Sequence, residues 1–226
     1  MTRTLTAILL FSLLFSACQK EGPAKIIKEG QVVYKIKYLD VQNKNMNRNL
    51  LPKKLIVQFD QGNVLNKISS GSGVVSISHI TNYDDNRHFT LFKLLNKKMY
   101  YEHIDSTFEI LETLPEFDIY PTEGSKIIVG YPCKKATVVF KDSIQHENFE
   151  VYYTENVDLE HLNHDTPYSP INGLLLDFRL KINGNYVHLI AEEISTKKIK
   201  KGHFTVPDDY EKINKETMKD ILELLK

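Results

Sequence analysis

"GLLLDFRLKINGNYVHLIAEEIS", residues 173–195, decides the fold of this chain. Side chains alternate across a strand, so Leu174, Leu176 and Phe178 share one face while Leu175, Asp177 and Arg179 share the other. Asn183-Gly184 then joins this run to a second one. That dipeptide is the strongest short-range hairpin signal, because both central residues of a type I′ turn need φ > 0. The stretch therefore predicts two antiparallel strands. It also carries apolar residues on both faces for part of its length, where a sheet wet on one side would alternate cleanly. A second covered surface is implied: a helix, a partner or a ligand cavity. A core packed by the C-terminal helix is the simplest of these.

The same alternation runs back through the chain. In "QVVYKIKYLD", residues 31–40, Val32, Tyr34, Ile36 and Tyr38 oppose Lys35 and Lys37. "KKLIVQFDQG" groups Leu55, Val57 and Phe59 before a turn at Gln61-Gly62-Asn63, and "GVVSISHI", "RHFTLFKLL" and "KKMYYEHI" continue the pattern. Later come "KIIVGY", "KKATVVF" and "FEVYYT", and "IKKGHFTV" reads as a further strand. The composition agrees: 12 Tyr and 11 Phe with no Trp favours strands. Helix is confined to "NKETMKDILELLK", capped by Asn214 with Met218, Ile221, Leu222 and Leu225 on one stripe, and to a short candidate within residues 105–112. The fold class is mainly β: a single antiparallel sheet of about ten strands with a C-terminal helix.

The first residues have a different logic. Met1-Thr2-Arg3 is followed by an apolar run from Leu5 to Phe15, then by Ser16, Ala17 and Cys18. The run is shorter than the roughly 20 residues that span a bilayer, and it suits a secretory signal. "LLFSAC", residues 13–18, resembles the bacterial lipobox, with Phe15 where Leu is usual. The expectation is cleavage after residue 17, lipid on Cys18, a tether to residue 26, and one β-rich domain over 27–226. The competing reading is an ordinary signal peptide with an incidental cysteine. Each buried acyl methylene contributes about 0.8 kcal/mol and one chain binds only marginally, so multiple acylation anchors firmly.

Charge excludes one class of partner. The 29 basic and 29 acidic side chains balance, whereas nucleic acid demands a basic face. If Cys18 carries lipid, Cys133 has no disulfide partner within the chain, and it reads as a small buried hydrophobe. "EHLNHD", residues 160–165, is the one local cluster with ligand-type residues. His161, His164 and Asp165 could offer nitrogen and oxygen to a divalent metal, giving a metal-assisted hydrolase as the alternative function. Recognised zinc signatures use other spacings, and Pro167 and Pro170 follow, so a solvated loop is expected, with no metal or cofactor. Gly71-Ser72-Gly73 reads as a flexible turn. The lysines of "KKIKKG", residues 197–202, read as guards of a sheet edge.

"EGSKIIVGYPCKKATVVF", "FEVYYTENV", "PYSPINGLLLDF" and "FTVPDDYEKI" occur in an order that resembles the GLPGLI-like family of Gram-negative envelope proteins. Where the namesake motif falls, residues 171–176 read "INGLLL", keeping Gly173 and Leu174 but not the proline. The resemblance implies a fold similar to the LolA/LolB lipoprotein carriers, an open, strongly curved sheet or half-barrel with helix in its concavity. It implies no activity. The functional expectation is a non-enzymatic, lipid-anchored lipoprotein of the outer membrane. It faces the periplasm or the cell surface and binds a hydrophobic ligand or an envelope protein on its sheet.

Overall fold

A computed structural model describes residues 25–40, 51–70, 73–104, 111–112, 114–142, 146–159, 162–163 and 166–223. The quoted hairpin is present. Strands β11 (Leu174–Ile182) and β12 (Asn185–Ser195) pair antiparallel through Phe178–Leu189, Leu180–Val187 and Ile182–Asn185. Asn183 and Gly184 both hold positive φ, at 49° and 79°, as the turn type requires.

Everything else is arranged around β1 (Gly30–Tyr38), which lies between β12 on one side and β2 (Lys54–Phe59) on the other. From β2 a meander runs outward through β3 (Asn63–Ser69), β4 (Val75–Asn82), β5 (Arg87–Leu94) and β6 (Lys97–His103). From β12 the sheet continues through β11 to β10 (Phe149–Thr154), β9 (Tyr131–Phe140) and β8 (Phe117–Ile128). Two short strands complete it: β7 (Leu111–Glu112) beside β11, and β13 (Glu211–Lys212), which pairs parallel with β6. Among the described residues the sheet thus has thirteen strands and does not close, since β8 and β13 stand at opposite ends of the order. The strand count exceeds the sequence expectation. The two-residue strands carry no periodicity, and β3, "NVLNKIS", breaks its alternation with adjacent Val64 and Leu65 and with Asn66 and Lys67.

Helix α1 (Lys215–Glu223) begins where expected. The Asn214 side chain accepts from the Thr217 amide at 2.8 Å, satisfying one of the orphan donors at a helix start. Met218 and Leu222 are buried, while Leu225 lies outside the described residues. Leu111 and Glu112, allotted to a helix by the sequence, form a strand instead; the rest of that candidate, 105–110, also lies outside.

One face of the sheet is a continuous apolar core. Register sets Val32 and Tyr34 of β1 against Val57 and Leu55 of β2, and Tyr34 and Ile36 against Ala191 and Leu189 of β12. Tyr168 and α1 complete this inner face: Tyr168 is fully buried, its ring 5.7 Å from those of Phe178 and Phe117, and its hydroxyl donates to Arg179 O at 2.5 Å. Leu174, Leu176 and Phe178, which alternation puts on one face, belong to this core.

A second covered surface is present, on other strands than the two-sided apolarity of β11 and β12 pointed to, and the chain covers it itself. On the outer face of β3–β6, Ile80, Phe89 and Leu91 form a separate cluster with Phe204, packed by Ile199, Val206 and Tyr210. "IKKGHFTV" is therefore not a strand. Lys201–Phe204 is a 3-10 turn laid over β3 and β4, and its lysines flank this cover rather than a sheet edge. Phe204 carries the attachment; an isolated aromatic in a lysine-rich stretch gives no periodic signal.

Candidate functional site

Two polar groupings stand out from the apolar framework, one on each face. The first is on the outer face of β8–β12. Register places Tyr152 opposite Asp177, and Cys133 opposite Lys126. Asp177, although 8% exposed, accepts from His188 Nε2 at 2.5 Å and from Lys126 Nζ at 2.6 Å. A carboxylate only accepts, so the Nε2 of His188 bears the proton. Burial of Asp177 opposes ionisation, but the hydrogen bonds from His188 and Lys126 outweigh it and hold the carboxyl below its ordinary range.

Lys126 is held twice. Its ammonium also lies 3.6 Å from the centre of the Tyr152 ring, a cation–π contact. The Tyr152 hydroxyl donates to Glu150 at 2.7 Å, and that bond to a carboxylate pushes the phenol up to about 12. Glu150 also accepts from Lys135 at 3.0 Å, and the Tyr152 and Lys135 bonds together hold its carboxyl below the usual range. The result is a chain of polar contacts, Lys135–Glu150–Tyr152–Lys126–Asp177–His188, running across five strands. Cys133 lies beside Lys126. Burial pushes its thiol up to about 11 and its Sγ donates to Tyr131 O at 3.4 Å, so the sulfur stays protonated and acts as a packing group.

The second grouping is on the inner face of β4–β6. The Thr90 hydroxyl lies 3.1 Å from His79 Nδ1 and 2.8 Å from His103 Nε2, and all three residues are buried. A hydroxyl has one proton, so at most one of the two histidines accepts from Thr90 and at least one donates to it. His88 is also buried, its Nε2 3.4 Å from Asn86 Oδ1. Neither grouping was anticipated from the sequence. Their residues lie far apart in the chain, and only the register of neighbouring strands collects them; the weak signal was a polar residue at a core-phase position, as in "SISHIT" and "RHFTLF".

The site residues expected from the sequence are not among the described ones. Cys18, His161, His164 and Asp165 all lie outside the described residues, as do Gly71 and Ser72. Among the described residues no set of three or more His, Cys, Asp or Glu is placed to hold a metal. No described helix is long and apolar enough to cross a membrane.

No protein-family model and no curated protein matches the chain. Among solved structures it is similar to two crystal forms of PNGF-II. The C2 form is 17% identical over 86% of this chain and 32% of that one, with a TM-score of 0.46. The P21 form is 16% identical over 86% and 33%, with the same TM-score. This chain therefore spans about a third of the length of those proteins.

Proposed function

We propose that this chain is an outer-membrane lipoprotein of a Gram-negative envelope, related to the GLPGLI-like proteins and anchored by lipid on Cys18. Its sheet serves as a non-enzymatic binding scaffold, for a protein partner in preference to a hydrophobic ligand. One observation favours that preference: the inner face is occupied by the chain's own Tyr168, Phe178, Met218 and Leu222, all buried. An acyl ligand there would have to displace α1. The outer face of β8–β12, by contrast, offers partly exposed charged groups on a rigid frame, the ordinary make-up of a protein-contact rim.

Metabolic labelling with an alkyne fatty acid tests the anchor. Wild type takes up label and Cys18→Ser does not; equal label in the two removes the lipoprotein reading. Mass spectrometry of lipids extracted from the purified protein tests the scaffold. A stoichiometric lipid beyond the one on Cys18 would convert the reading to that of a carrier.

A further inference from the structure

The β8–β9 connection is a two-residue turn, Val129-Gly130, with φ of 50° and 79°. The β11–β12 turn has nearly the same angles but uses Asn183-Gly184. Positive φ is easy for Gly and tolerable for Asn, and it is an outlier for a β-branched side chain. An apolar residue is thus kept at a partly exposed corner where conformation disfavours it, as Leu95 is in the β5–β6 turn at φ 56°. Val129 is 39% exposed, and Ile127, near the end of β8, is 69% exposed. Tyr131, first in β9, is half-buried behind them.

The antiparallel order fixes where this tip points. β1, β9 and β11 start at the end of the sheet where β8, β10 and β12 finish, so the tip shares that end with the chain's entry at Gly30. The entry is pinned there: Ile27 donates to Asn156 O at 2.9 Å and accepts from Asp158 at 2.8 Å, and Ile26 beside it is 54% exposed. Cys18 is seven positions before Lys25, a segment that reaches about 25 Å at full extension. Two ion pairs lie near this end, Lys28 with Asp158 at 2.8 Å and Lys134 with Glu155 at 2.6 Å.

We propose that the Ile127–Tyr131 tip is a second membrane contact: Ile127 and Val129 enter the leaflet that holds the Cys18 lipid, with Tyr131 at the headgroup level that aromatic rings favour. This rests on the lipoprotein reading above. The domain then stands on its bilayer by an acyl anchor and a hairpin corner, with the β5–β6 turn at Leu95 pointing away.

The chain has no tryptophan, so a single one is a clean reporter. Full-length Ile127→Trp and Leu95→Trp would be purified, weighed by mass spectrometry, and reconstituted into phosphatidylcholine vesicles with brominated acyl chains. The expected result is a lipidated mass for both variants, with the indole emission of Ile127→Trp blue-shifted and quenched at least twofold, and that of Leu95→Trp unchanged. A lipidated, vesicle-bound Ile127→Trp protein whose emission stays unquenched overturns the membrane contact alone and leaves the tip to a protein partner. A mature chain without lipid overturns the contact and the lipoprotein reading together.

Discussion

Val129 and Asn183 occupy the same corner of two hairpins, at φ 50° and 49°, yet one is β-branched and apolar and the other is the residue that such turns prefer. The left-handed region costs an ordinary residue about 1–2 kcal/mol. Val129→Asn is therefore expected to raise stability by about 1 kcal/mol, and Asn183→Val to lower it by a similar amount. Urea midpoints measure both. No gain from Val129→Asn would mean that the valine's packing already compensates its backbone.

Asp177 gives the sheet a dependence on acid. Its folded carboxyl titrates below the unfolded one, so its contribution is complete above the unfolded value of about 3.9 and is lost as pH falls through the lower folded value. Asp177→Asn should cost about 1–3 kcal/mol at neutral pH, since it removes the charge and leaves one acceptor oxygen where Lys126 and His188 now have two. It should also flatten the acid limb of stability against pH. Parallel curves for wild type and variant below pH 4 would show that the acid limb comes from other carboxyls.

Gly173 is held by contact on the side where a β-carbon would be. That atom would sit 2.7 Å from Thr154 O and 2.8 Å from Tyr153 Cδ2. Its own carbonyl accepts from the buried Asn163 amide at 2.9 Å, so the segment has no freedom to retreat. Gly173→Ala is expected to lower the thermal midpoint, at a cost of about 1–3 kcal/mol. An unchanged midpoint would show that the entry to β11 is softer than its contacts imply.

Helix α1 separates a completed core from a lid. Met218 and Leu222 are buried against the inner face, each contributing about 1.5–3 kcal/mol. Ending the chain before Met218 should remove several kcal/mol from a domain whose total is about 5–15. Circular dichroism should report a much earlier unfolding transition. A truncated protein with an unchanged transition and new binding of a hydrophobic dye would show a lid over a cavity.

The strands were legible because their apolar faces obey a two-residue period, and the hairpin at Asn183-Gly184 because its chemistry is local. The C-terminal helix was legible from its cap and stripe. The outer-face cover was not: Phe204 acts as a single anchor, and nothing around it repeats. Nor were the charged and histidine groupings, because Lys126, Tyr152, Asp177 and His188 come together only through strand registers that sequence spacing does not state. The double apolarity of β11 pointed to a second covered surface on that strand, and the cover found does not lie there. It lies on β4 and β5.

The central position of β1 has a consequence for the order of assembly. β1 pairs on one side with β2, close in sequence, and on the other with β12, where Tyr34 meets Ala191. The β2–β6 meander consists of local contacts, which form quickly, whereas β1–β12 closure joins residues near opposite ends of the chain and belongs to the slow class. Until β12 arrives, β1 presents an open edge with Val32, Tyr34 and Ile36 in sequence, a template for intermolecular pairing. Assembly thus has a late, whole-chain step, and the chain is most vulnerable to aggregation just before it.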